Sequence, residues 1–303
     1  MSDHQSDGTD DAISGTMLAG KYRVRRELGR GLIGRVYLCR SSWNDALVAV
    51  KVLHPELAQM PGMAKRFLHE LRAITQLDQQ NIVPVFESGE DANQGLLYLA
   101  MEHIEGRNLA EVIEHDWPLS DARVVDLMSQ LLRALARAHA IGIVHRDLKP
   151  TNVFVRASRE GERDRVLVGD FSLAQLAPVW LPNASSDPAA RAAGAQLLRG
   201  TAEYASPEQA QGKPLDPRSD VYSAGVLLFQ MLTRTLPFMA ANAADIGAQH
   251  CGKPPPPPSG FGKVNEALEA ACLKALSKTR DARFQTANEM RDALEAAVGA
   301  EAS

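Results

Sequence analysis

Eight consecutive residues, His145-Arg146-Asp147-Leu148-Lys149-Pro150-Thr151-Asn152, constrain this chain most, because they set a carboxylate, an ammonium and a carboxamide within one short loop. Ahead of them Val124, Leu127, Met128, Leu131, Leu132 and Leu135 repeat at helical spacing behind Ser120, a predicted N-cap, and that helix ends near Gly142. A carboxylate that orients a hydroxyl, a cation that meets a phosphate and an amide oxygen that ligates a hard cation are the parts phosphoryl transfer needs. A capped turn also favours Asp and Asn. It has no need of His-Arg-Asp, Lys-Pro and Asn in that order.

The chain of 303 residues is long enough for two packed lobes. A formal net charge of -4 gives no global attraction to nucleic acid or an anionic membrane. No apolar run approaches the roughly 18 residues of a membrane span, and the N-terminus lacks the pattern of a secretion signal. Cys39, Cys251 and Cys272 are too scattered for a disulfide framework or a zinc site, so reduced thiols and a cytoplasmic location are expected. His54, His69, His103, His115 and His139 show no metal spacing and read as surface or packed residues.

Residues 1–16 are acidic and read as a disordered tail. Tyr22–Leu28, Val36–Cys39, Leu47–Leu53, Val83–Glu87 and Leu96–Glu102 read as strands, and Ala64–Leu77 as a helix with Phe67, Leu68, Leu71 and Ile74 on one face. Beyond Asn108 the character turns helical. Asn152–Val155 and Val166–Val168 suggest a small hairpin, and Arg218–Leu232, Ala240–His250, Val264–Leu276 and Gln285–Val298 suggest helices. The expected class is α+β with two lobes in residues 17–298. The first, about 17–102, is a small antiparallel sheet with one helix; the second, about 108–298, is larger and mainly helical; 299–303 is a tail. The lobes join near Glu102–Arg107. Pro254–Pro258 reads as a stiff linker between helices, or as a polyproline ligand.

Further motifs flank the octamer. Gly29-Arg30-Gly31-Leu32-Ile33-Gly34 lies between two strand-like runs, where glycines Gly29, Gly31 and Gly34 let backbone approach phosphate oxygens. A dinucleotide fingerprint needs strand–turn–helix, and Val36-Tyr37-Leu38 reads as strand. Lys51 ends the apolar Val48-Ala49-Val50-Lys51 and would hold phosphates, with Glu70 in the next helix as its partner. Asp147 would orient the substrate hydroxyl, Lys149 neutralise the transferring phosphate, and Asn152 ligate a metal. Asp170, before the aromatic Phe171, suits a second metal ligand. Backbone groups of Met101, Glu102 and Ile104 would read a purine edge, with Val36 and Ala49 sandwiching the ring.

In this order these motifs, with Ser206-Pro207-Glu208, resemble the protein-kinase signature set. The chain resembles a eukaryotic-type serine/threonine protein kinase of the bacterial branch over about residues 17–298. The resemblance implies ATP and Mg2+, with Mn2+ as an alternative, as cofactors. It implies transfer of the γ-phosphoryl group to Ser or Thr hydroxyls of protein substrates in signalling. Leu28 joins the nucleotide-binding set. Asp220 would anchor the catalytic loop, Glu208 would pair with Arg283, Arg146 would receive an activation-loop phosphate, and Lys149 with Thr201 marks the serine/threonine class. Ser172 stands where the family has glycine, which narrows the backbone freedom beside Asp170 and raises the alternative of a pseudokinase-like scaffold. Between Leu173 and Arg199 there is no threonine, and Ser185 and Ser186 are the hydroxyl candidates there, so activation by homodimerisation or a partner is expected in place of loop phosphorylation.

Overall fold

The computed structural model describes residues 15–31, 33–74, 80–91, 94–157, 163–171 and 200–299, without the side chains of residue 70, 72–74 or 299. They fall into two compact units that divide between Ile104 and Glu105, except that Gln80, Asn81 and Ile82 belong to the second.

The first unit is a six-stranded antiparallel sheet in the order β1-β2-β3-β4-β6-β5. Its strands are β1 (Met17–Leu18), β2 (Tyr22–Arg30), β3 (Gly34–Ser41), β4 (Leu47–Leu53), β5 (Val85–Asp91) and β6 (Leu96–Glu102). Two helices, α1 (Pro55–Ala58) and α2 (Met63–Ile74), follow β4, and α2 packs on β5. Successive strand residues point to opposite faces. On β4 the residues Val48, Val50 and Val52 therefore share one face, where they pack with Tyr22, Val24, Tyr37, Cys39, Tyr98 and Ala100. Ala49, Lys51 and Leu53 occupy the other. Both faces are covered, so β4 has no polar alternation apart from Lys51. Gly15 and Thr16 are already tied to this sheet, through the Gly15 N–H to the Val24 carbonyl and the Val24 N–H to the Thr16 carbonyl.

The second unit contains a three-stranded sheet of β7 (Arg107–Asn108), β8 (Val153–Arg156) and β9 (Arg165–Val168), in that order. The expected hairpin is β8–β9; the short β7 was not apparent from pattern. Ile82 bridges Val168 in parallel, and the Asn81 side chain donates to the Val166 carbonyl at 2.8 Å. The helices described are α3 (Leu109–Asp116), α4 (Asp121–Ala140), α5 (Pro207–Ala210), α6 (Pro217–Thr233), α7 (Ala243–Gly252), α8 (Glu266–Ala275) and α9 (Ala287–Gly299). Asn108 and Glu111 form a capping box on α3, and Ser120 caps α4 as expected. Helices α7 and α8 start later than periodicity suggested, because Asn242 and Asn265 accept N–H groups of their first turns. Helix α6 is buried on nearly all sides, the pattern of a core helix.

Gly225 of α6 meets α8 so closely that a Cβ there would lie 2.8 Å from the Cβ of Ala275, whereas a Cβ on Gly252 would meet nothing. Urea unfolding of Gly225→Ala is expected to show a loss of about 1–3 kcal/mol from overpacking. The same change at Gly252 is expected to be neutral or stabilising by under about 1 kcal/mol. Equal effects at the two positions would contradict this packing.

Candidate active site

In the first unit, register assembles the predicted nucleotide-binding residues on one sheet face. Val36 pairs with Lys51 across β3 and β4, and Ala49 pairs with Met101 across β4 and β6. Directly opposed residues share a face, and Ala49 and Lys51 are two apart on one strand. Val36, Ala49, Lys51 and Met101 therefore lie together, opposite the Val48–Val50–Val52 core. The Lys51 side chain is 5% exposed. Glu70 lies on α2, but its side chain is outside the described residues. The Glu102 N–H donates to the Pro84 carbonyl at 2.9 Å, so a purine edge would be read by other backbone groups of the Met101–Ile104 stretch. Leu28 is partly exposed on β2.

The glycines divide their labour. A Cβ on Gly34 would stand 2.1 Å from the Val52 carbonyl oxygen, so the close approach of β3 to β4 requires glycine. The Gly31 N–H donates to the Gly34 carbonyl at 2.8 Å and is engaged within the turn. His54 braces this turn: its Nε2 lies 3.0 Å from the Gly31 carbonyl, and its N–H donates to Ile33. Sequence reading missed this role, since a histidine that binds backbone leaves no spacing signal.

In the second unit the octamer is a tightly bonded loop. Lys149 Nζ donates to both Asp147 carboxylate oxygens, at 3.1 and 2.8 Å, and lies 3.5 Å from Thr201 Oγ1. Asn152 Nδ2 donates to the Asp147 carbonyl at 2.8 Å and to its Oδ2 at 3.2 Å. With the amide nitrogen bound to Asp147, the Asn152 side chain keeps its oxygen, the hard donor atom of a carboxamide, for another partner. Asp170 sits at φ 60°, in the left-handed region. The preceding Gly169 is fixed by its N–H to the Asn152 carbonyl, 2.9 Å, and by its carbonyl to His145 Nε2, 2.8 Å. Phe171 is buried with its ring centroid 4.6 Å from that of His145. Ser172, Ser185 and Ser186 lie outside the described residues.

The loop hangs from a buried carboxylate. Asp220 on α6 accepts the His145 N–H at 2.7 Å, the Arg146 N–H at 2.9 Å and His139 Nε2 at 2.8 Å. Burial alone would raise its pKa, but His139 and the Arg146 amide outweigh that and lower it. Asp220 thus bonds the backbone of the loop where the resemblance placed it; His139, 81 positions away, reads in sequence as a surface or packed residue. The Arg146 carbonyl in turn accepts from Gln209 Nε2 at 2.7 Å, from a short helix capped by Ser206.

Glu208 and Arg283 meet as expected, in a bidentate pair at 2.7 and 2.9 Å. Ser219 Oγ also donates to Glu208, and Arg283 donates to the carbonyls of Ser277, Lys278 and Arg218. Burial pushes the Glu208 pKa up, yet the Arg283 and Ser219 hydrogen bonds bring it down to about 2. A carboxyl whose pKa is depressed on folding adds stability above its unfolded value and loses it as pH falls through its folded value. Here that window runs from 4.5, the ordinary value of a glutamate, down to about 2. Arg283→Ala is expected to cost about 3–5 kcal/mol in denaturant unfolding at neutral pH, since it strands a buried charge. Arg107→Ala, which breaks the exposed pair with Asp116, is expected to cost under about 1 kcal/mol. Similar losses from the two variants would count against a buried, structural Glu208–Arg283 pair.

A family model described as protein kinase domain matches residues 22–286. The chain is 38% identical over 291 residues to the serine/threonine-protein kinase pkn3 of Myxococcus xanthus, which covers 95% of this chain and 52% of that protein. It is 36% identical over 277 residues to the serine/threonine-protein kinase PknB of Mycolicibacterium smegmatis, covering 90% of this chain and 42% of the relative. The chain thus spans about half the length of these curated relatives, or less. Among solved structures, the kinase domain of Mycobacterium tuberculosis PknI is similar with a TM-score of 0.70 and 26% identity, over 94% of this chain and 98% of that one. The small antiparallel-sheet unit and the larger helical unit are those of the protein-kinase fold, and the chain belongs to the bacterial branch of the eukaryotic-type serine/threonine protein kinases.

Proposed function

We propose that this chain transfers the γ-phosphoryl group of ATP to serine or threonine hydroxyls of proteins, as part of a signalling pathway. The observation that carries this is the bonded set Asp147–Lys149–Asn152, with the Thr201 hydroxyl beside Lys149. Asp147 accepts a hydrogen bond from the substrate hydroxyl and aims its oxygen at phosphorus. Lys149 holds Asp147 in place and offsets negative charge that builds on the transferred group. Asn152 and Asp170 would hold the divalent ion, Mg2+ or Mn2+, which when bound neutralises phosphate charge. Lys51 is assigned to the α- and β-phosphates, and Val36 and Ala49 to the faces of the purine. Glu70, three residues past the buried Phe67 on α2, is assigned to Lys51 by sequence alone.

The three cysteines are free thiols, two of them buried, which suits a reducing cytoplasmic location. No helix among the described residues is long and apolar enough to cross a membrane. Activation by homodimerisation or another partner, without loop phosphate, is our reading of a 173–199 segment lacking threonine. A phosphosite map in which activity requires stoichiometric phosphate at Ser185 or Ser186 would overturn that part alone.

The central test is incubation of the purified chain with ATP, a divalent metal and a mixed peptide substrate. Phosphoserine and phosphothreonine are expected. Asp147→Asn is expected to lower kcat by about 10²–10⁴-fold, with a much smaller effect on nucleotide affinity. Phosphotransfer that persists unchanged in Asp147→Asn, or a wild-type chain that binds nucleotide and transfers nothing, would defeat the assignment; the latter outcome is the scaffold alternative.

A further inference from the structure

The run Lys253-Pro254-Pro255-Pro256-Pro257-Pro258, between α7 and a short turn at Pro258–Phe261, takes no part in the chemistry above. Each residue of Lys253–Pro257 precedes a proline. A proline ring fixes φ, and the residue before a proline is driven from the helical region toward polyproline II. Lys253 has φ -85° and ψ 127°, and Pro257 has φ -68° and ψ 132°, so both ends show that conformation. The run is also pinned at both ends. The Lys253 N–H donates to the Gln249 carbonyl at 2.9 Å, Pro258 is buried, and the Phe261 ring stands edge-on to Phe229 with centroids 5.6 Å apart.

A polyproline II helix has about three residues per turn and hence three ridges. The ridge of Pro255 and Pro258 faces inward, half-buried and buried respectively. The ridge of Pro254 and Pro257 is exposed on both residues, and beside it lie exposed Lys253 and half-buried Pro256. Two adjacent ridges therefore face solvent as the pairs Lys253-Pro254 and Pro256-Pro257. Among the described residues no hydrogen bond reaches the carbonyls of Pro254, Pro255 or Pro256. Exposed Lys253 and Lys263 flank the run with positive charge. A spacer needs only length; this segment also has a preset conformation, a fixed rotation and open acceptors. We propose that the run is a docking ligand for a folded partner domain with an aromatic-lined, carboxylate-rimmed polyproline groove. Its rigidity removes most of the ordering cost that such binding otherwise carries.

The test is titration of the full chain against a panel of purified SH3, WW and EVH1 domains of established polyproline specificity. At least one is expected to bind, and a soluble Lys-Pro-Pro-Pro-Pro-Pro-Ser peptide to compete. The double change Pro254→Ala with Pro257→Ala is expected to weaken binding about tenfold or more, and Pro255→Ala by under about threefold. Lys253→Glu, an exposed change that spares the proline backbone, is expected to weaken binding as well, with unaltered thermal unfolding. The proposal fails if no domain of the panel binds, if the peptide does not compete, or if Pro255→Ala matches the double variant.

Discussion

The carboxylate of Asp220 is the interaction on which the backbone of the His145–Asn152 loop rests. It sits 1% exposed in the most deeply buried helix and accepts two consecutive backbone N–H groups, from His145 and Arg146. Removing an ionised carboxylate from water is costly unless charge or hydrogen bonds compensate. Here the compensation comes from the loop that must be positioned, together with His139. The demand of the charge for partners and the demand of the loop for a fixed backbone are met by the same bonds. Asp147 follows directly in sequence, so the direction of its side chain is set from below.

Glu208 and Arg283 apply the same physics to a different segment. Arg283 has no exposed side-chain surface and donates to Glu208 and to three carbonyls, so its donors are broadly engaged. A pair of this kind adds little net stability relative to an apolar replacement. What it adds is position: Ser219, one residue before Asp220, donates to Glu208. The segment bearing Glu208 and the helix bearing Asp220 are thereby fixed to each other through neighbouring residues. Surface pairs such as Arg107 with Asp116 have no comparable role, because water competes for both ions.

Much of this arrangement was legible in the sequence, for identifiable reasons. Leu47–Leu53 and Leu96–Glu102 were recognisable as strands because both are apolar runs bounded by polar breaks, and the structure ends them at those residues. Asp147, Lys149 and Asn152 were legible because their partners lie within five positions. Asp220, Glu208 and Arg283 became interpretable only through family resemblance, since their contacts span 74 or 75 positions. His54 and His139 escaped, because one partner is a backbone carbonyl and the other a carboxylate far along the chain. The strands Met17–Leu18 and Arg107–Asn108 escaped because two residues carry no periodicity; their neighbours define them. Helices α7 and α8 start later than their alanine-rich and apolar flanks suggest, because Asn242 and Asn265 cap them.

Backbone strain marks the same loop. Arg146 at φ 69° and Asp170 at φ 60° both occupy the left-handed region without being glycine. Such a conformation costs about 1–2 kcal/mol for an ordinary residue, and aspartate tolerates it better than arginine. Hydrogen bonds hold Arg146 on both sides and hold the residue that precedes Asp170. Arg146 gives its N–H to Asp220 and receives Gln209 on its carbonyl, while Gly169, before Asp170, is held by Asn152 and His145. The clamps share members with the loop that carries Asp147. Asn152 holds Asp147 through its amide nitrogen and Gly169 through its carbonyl. His145 reaches Asp220 through its N–H and Gly169 through its ring. Asn152 and His145 therefore join the backbone just before Asp170 to the loop that carries Asp147, and the two carboxylate-bearing segments are bonded into one local framework.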